Sequence, residues 1–239
     1  MRFETGPLLE AVRRFTVSGA ERRKRGTNAL SAAEGGARRN HQRSGHRYVC
    51  FHSSDSRGFM AANPSRSLTD IFLTNARDAA ATVERVAASP AAVLKALEMT
   101  TKGVRSIVVA AGEWLPPEIL SVARDLPNVI ASPSDEQLAR ADVGITEAFA
   151  GVASSGSICV ALGTPLTAAA SLLMPLHIVL LAAKRIVARP RDLFDGKCLG
   201  GEGLQRNLVF ITGPSATADM GPLVRGVHGP HRLHILLLE

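Results

Sequence analysis

From Leu68 onward, short unbroken apolar runs alternate with stretches of helical periodicity, and this alternation restricts the fold more than any other feature. Residues 104–110 (VRSIVVA) form a nearly continuous apolar run, as a strand covered on both faces of a sheet requires. Helical spacing runs through 68–88, where Ile71, Phe72, Ala76, Ala79, Ala80 and Val83 share one face. A second helix is expected at 90–102. A third is expected at 116–125, with prolines in its first turn where no amide is wasted. A fourth begins after Ser134, which with Gln137 three residues on writes a capping box. Strands are expected at 128–131, 143–145, 158–162, 178–181, 208–211 and 233–238. Strands alternating with helices early, and strand-rich sequence late, predict an α/β fold with a mixed, largely parallel sheet flanked by helices.

Residues 158–183 carry no formal charge, and their length alone would permit a membrane span. Gly163, Pro165 and Pro175 interrupt them, so two buried strands joined by an Ala-rich turn are expected instead, with no membrane role.

Charge divides the chain. Residues 1–59 hold 12 Lys/Arg and 5 Asp/Glu, a net of +7, whereas residues 60–239 hold 16 of each. The high isoelectric point therefore belongs to the first segment, and the rest is a neutral α/β domain. Stretches such as ERRKRG and EGGARRNHQRSGH bury too little apolar surface to offset chain entropy. Residues 1–59 are thus expected to be a disordered basic extension, translated sequence upstream of a natural start at Met60, or a nucleic-acid-binding or targeting segment. Aromatic residues make up only 4% of the chain, which excludes a stacking platform for nucleic acid. Any such role would rest on the extension.

Cys50, Cys159 and Cys198 are odd in number, far apart and without a CxxC pair. Neither an iron–sulfur cluster nor a structural zinc site is written here, so no metal and no cofactor is expected. The same usage points to a reducing, cytoplasmic setting.

Ligands of open α/β sheets sit beyond the carboxyl ends of the strands, and that rule directs attention to three glycine-rich loops. In the first, ADVGITEA leads into ASSGS, so Thr146, Glu147, Ser155, Gly156 and Ser157 are candidate ligand residues. An ordinary Gly-Ser hairpin turn fits the same residues. In the second, ITGPSATAD (211–219), Gly213 turns the chain and Ser215 is placed to cap a short helix whose free amides would hold an anion. Gly213, Pro214, Ser215, Thr217 and Asp219 are the candidates, although a plain strand–turn–helix cap would look alike. In the third, GVHGP (226–230), His228 lies between glycines and can act as acid, base or ligand near neutral pH, beside Gly229. His231 and His234 are expected at the surface, and His177 as a satisfied core or edge residue.

DVGITEA, ASSGS, ITGPSATAD and GVHGP with a terminal LHILLL, in this order, resemble the LUD domain, and more narrowly its lactate-utilization protein C type. The resemblance spans 68–239. It implies a fold like that of ribose-5-phosphate isomerase, the CoA transferases and formyltetrahydrofolate cyclo-ligase. It also implies a part in L-lactate oxidation within a bacterial three-protein system whose iron–sulfur clusters lie in partner proteins. Two functions follow from different classes. One is a non-redox subunit that binds a small carboxylate or a partner. The other is a stand-alone enzyme acting on a phosphorylated or acyl substrate, with His228 as acid/base and the Ser215 loop as anion cradle. One departure bears on chemistry: where the family often carries an acidic residue in its AETGT-like element, this chain has Ser154. That disfavours a covalent glutamyl mechanism like that of the CoA transferases.

Overall fold

The computed structural model describes residues 66–110, 112–194, 207–218 and 221–239. The basic extension, Cys50, Cys198 and Asp219 lie outside the described residues.

Helix α1 (Leu68–Asp78) starts where the Ser67 hydroxyl accepts the Asp70 amide at 3.1 Å. It ends ten residues before the expected 88. Ala80 takes a left-handed φ of 65°, and Thr82–Val86 becomes strand β1 instead. The reason is tertiary: β1 pairs with the last strand, β11 (Arg232–Leu238), over five residues, and that ladder outweighs the local helical pattern. Helix α2 (Pro90–Thr100) begins at the Ser89 cap and leads to β2 (Ile107–Val109). Helices α3 (Pro117–Arg124) and α4 (Asp135–Arg140) follow, the latter with the expected reciprocal box between Ser134 and Gln137. The expected strand at 128–131 is reduced to one bridge, between Val129 and Ile107.

Strands β3 (Val143–Glu147), β4 (Ala150–Val152) and β5 (Ser157–Ala161) come next. The expected Ala-rich turn is in fact helix α5 (Pro165–Leu172), capped by Thr164 and followed by β6 (Leu176–Ala182). Alanine is the best helix former, and Pro165 sits at the first turn where a missing amide costs nothing. Strands β7 (Ile186–Val187), β8 (Leu208–Ile211), β9 (Ala216–Thr217) and β10 (Val224–Arg225) precede β11. Among the described residues no helix is long and apolar enough to cross a membrane.

The central sheet runs β1-β11-β6-β3-β2 with every pairing parallel. A second, mixed sheet runs β7-β4-β5-β8. Side-chain alternation gives the central sheet two apolar faces. On one, Val143, Ile145, Ile178 and Leu180 pack with Val93 and Leu97 of α2 and Ile119 and Leu120 of α3. On the other, Val179, Leu181, Ile235 and Leu237 pack with Phe72 and Ala76 of α1 and with Ile158 and Val160 of β5. Each fully buried Leu or Ile contributes about 1.5–3 kcal/mol, and these are fully buried. Helix α5 crosses β3 at Gly144, where any Cβ would strike the Ala170 carbonyl. The layers therefore meet closely only because glycine stands there.

Candidate functional site

The order of strands places the candidate residues at two opposite edges. Residues 226–230 precede β11, so they lie at the amino edge of the parallel sheet. Strand β8 runs antiparallel to β5 and delivers Thr212 and Gly213 to the same edge, where Gly213 abuts the Ala79 carbonyl. The β4–β5 turn also points there: the Asn75 side chain donates to the Ala153 carbonyl at 2.7 Å, and Gly156, with φ +65°, lies against the α1 backbone at Asn75 and Ala76. These loops are therefore not beyond the carboxyl ends, as the strand-end rule suggested. The antiparallel return of β8 was invisible in the sequence.

At the amino edge the hydroxyls form a chain, Ser155 Oγ to Ser157 Oγ at 2.7 Å and Ser157 Oγ to Thr212 Oγ1 at 2.6 Å. Ser215 ties the second loop to the third. Its amide donates to the Pro230 carbonyl and its carbonyl accepts from Gly226, both at 2.9 Å. Its hydroxyl accepts the His228 amide at 3.3 Å. Gly229 passes against the Ser215 side chain, and Pro214 is half-buried beside it. Ser215 caps no helix. Ala216–Thr217 pairs with Val224–Arg225 as a small antiparallel ribbon, which consumes the backbone groups that a helix N-terminus would have offered to an anion. The His228 side chain is exposed. Ser215→Ala is expected to cost about 0.5–1.5 kcal/mol and to speed amide hydrogen exchange at His228. Unchanged exchange would show that the hydroxyl does not hold the turn.

Thr146 belongs to the core. Its hydroxyl meets His177 Nε2 at 2.9 Å, both residues are fully buried, and neither reaches a surface. His177 Nδ1 has no partner, so this histidine is only half satisfied. Burial holds its pKa down to about 3. His234 is not a surface residue either: it is largely buried, with Nδ1 2.7 Å from Thr82 Oγ1.

The carboxyl edge carries Glu147, at the end of β3 and only 5% exposed. Its carboxylate accepts three consecutive backbone amides, those of Glu113, of Trp114 at 2.7 Å and of Leu115 at 3.0 Å. Burial pushes its pKa up, and the three amides and the Arg185 charge pull back against that. Arg185 donates to the Phe149 carbonyl at 2.9 Å and lies 4.9 Å from the Trp114 ring centre and 5.5 Å from that of Phe149. The two rings meet edge to face, 4.8 Å apart. Glu147, Gly112, Trp114, Ala161, Thr164 and Thr167 border a cavity of about 150 Å³. On the other side of Trp114, Leu115, Ile119, Ala182 and Leu238 border an apolar hollow of about 380 Å³.

Sequence reasoning singled out Glu147 but missed its setting. Two signals were available: Gly112 directly after an apolar strand next to the chain's single tryptophan, and the Thr164–Pro165 helix start.

The LUD domain family model matches residues 60–238, and the chain belongs to that family. It is 34% identical over 108 residues to lactate utilization protein C of Halalkalibacterium halodurans, covering 44% of this chain and 47% of that protein. It is 31% identical over 152 residues to lactate utilization protein C of Deinococcus radiodurans, covering 62% and 68%. The first match thus spans about half of the relative's length. The crystal structure of a DUF162 family protein from Deinococcus radiodurans superposes with a TM-score of 0.54 at 23% identity, over 73% of this chain and 99% of that one. That likeness supports the α/β fold with its parallel central sheet.

Proposed function

We propose that this chain is the non-redox component of a bacterial, cytoplasmic L-lactate oxidation system, and that its amino-edge loops dock a partner protein carrying iron–sulfur clusters. The names of its relatives support the lactate role. One structural observation favours docking. Leu223, Val224 and Val227 are 61%, 52% and 41% exposed, next to the exposed His228 on a turn that Ser215 anchors. Apolar side chains held outward on an anchored turn mark an interaction surface. The reading places the function in residues 60–239, of which the family match spans 60–238.

The alternative is a stand-alone enzyme with His228 as acid/base and the Ser215 loop cradling a phosphate or acyl carboxylate. It has less support, because the helix N-terminus it needed is a strand.

Co-purification from the native host, with mass spectrometry of the captured proteins, tests the proposal. A cysteine-rich, cluster-binding partner is expected with the natural chain. Val224→Asp is expected to weaken its capture at least about tenfold. Turnover by the pure chain, abolished in His228→Ala, would favour the enzyme instead. Undiminished capture by Val224→Asp would move the docking surface elsewhere.

A further inference from the structure

We infer that the cavity beside Glu147 is a binding site for a small molecule that presents a hydroxyl or ammonium donor to the carboxylate. It lies at the opposite edge from the docking surface proposed above, so either can fail without the other. A carboxylate offers roughly four acceptor positions. Oε1 of Glu147 takes the amides of Glu113 and Trp114, and Oε2 takes that of Leu115. Oε2 retains one position. The carboxylate is screened from bulk water and Glu147 forms part of the cavity wall, so the cavity is the side from which a small donor can approach it. A ligand donor there adds a charge-assisted hydrogen bond to the one that Oε2 already takes from Leu115.

Two hydroxyls complete the polar lining. Thr164 Oγ1 and Thr167 Oγ1 are bonded to each other at 3.0 Å, and each keeps capacity for a further bond. The cavity, about 150 Å³, is well below the roughly 300–1,000 Å³ of drug-sized sites, so its ligand has only a few heavy atoms. The buried Glu147 carboxylate borders it, and that acceptor-only group favours a donor-bearing ligand over one that offers only a carboxylate.

Trp114 borders the cavity and is the only tryptophan, so its emission reports occupancy. The full-length protein is titrated separately with glycerol, ethanolamine, L-lactate and propionate. A saturable change in emission is expected with at least one of the three donor-bearing probes, and none with propionate. Glu147→Gln is expected to weaken that binding at least about tenfold. Thr167→Val leaves the three amides on Glu147 engaged, and is expected to weaken binding several-fold while the variant stays folded. The inference is overturned if no donor-bearing probe gives saturable binding, if propionate binds as tightly as L-lactate, or if both variants bind like the native protein.

Discussion

Replacing Glu147 with Ala is expected to lower the unfolding free energy by about 2–4 kcal/mol. The carboxylate is the acceptor for three consecutive amides, of Glu113, Trp114 and Leu115, and nothing else on β3 can replace it. Each amide left without a partner costs about 1–3 kcal/mol when buried. Glu113 and Trp114 border a cavity that water can enter in the variant, which keeps the total at the lower end of their sum. Glu147→Gln retains an oxygen acceptor and should lose about half as much. Urea denaturation of the three forms measures this through the midpoint at constant slope. An alanine variant as stable as the native chain would show that the 113–115 loop is held by other contacts. The same substitution should disturb Trp114, because its amide is one of the three and its ring packs against Phe149.

The second large effect is a loss of stability in acid that traces to His177. Burial holds this imidazole down to about 3 in the folded protein, against about 6.5 for a free histidine. Between those values the unfolded chain binds the proton and the folded chain does not. Stability therefore rises with pH through this window and is lost as pH falls below about 6.5. The slope approaches 1.4 kcal/mol per pH unit, so about 2–3 kcal/mol disappears between pH 6.5 and 4.5. Above that window His177 contributes no slope. His177→Leu should remove this component, while costing about 1–2 kcal/mol at neutral pH because the buried Thr146 hydroxyl loses its partner. Denaturation midpoints of both proteins from pH 4.5 to 7 isolate the effect as a difference. Parallel curves would mean that the acid response comes from other groups.

Much of the fold was legible because it rests on local chemistry. The capping box at Ser134 and Gln137, the proline-started helices and the continuous apolar strands all formed as their sequences required. The failures had two causes, pairing over long sequence distances and apolar runs that fit either helix or strand. Residues 82–86 have helical periodicity, yet they become a strand because Leu236 and Leu238, some 150 positions later, offer a ladder. The stretch at 165–172 was read by its apolarity, which does not distinguish a buried helix from buried strands.

The candidate site divided in the same way. The hydroxyls and glycines of the three loops do come together, but at the amino edge, because the direction of β8 is set by its partner β5 and not by its own residues. Glu147 stood out as a carboxylate at the end of a strand. That its partners are the amides of 113–115 could not be read, since backbone amides carry no sequence signature.

The position of β11 has a consequence for how the chain reaches its native state. This strand lies inside the central sheet, between β1 and β6, although it comes last in chain order. While the chain is being synthesised, β1 and β6 each present an unpaired edge, that of β6 strongly apolar, until residues 232–238 have left the ribosome. Closing the sheet then spans a long loop, which slows the step and favours capture of the open edges by chaperones or by other nascent chains. Removal of only the last few residues should therefore not merely fray an end but leave β1 and β6 without the strand that joins them.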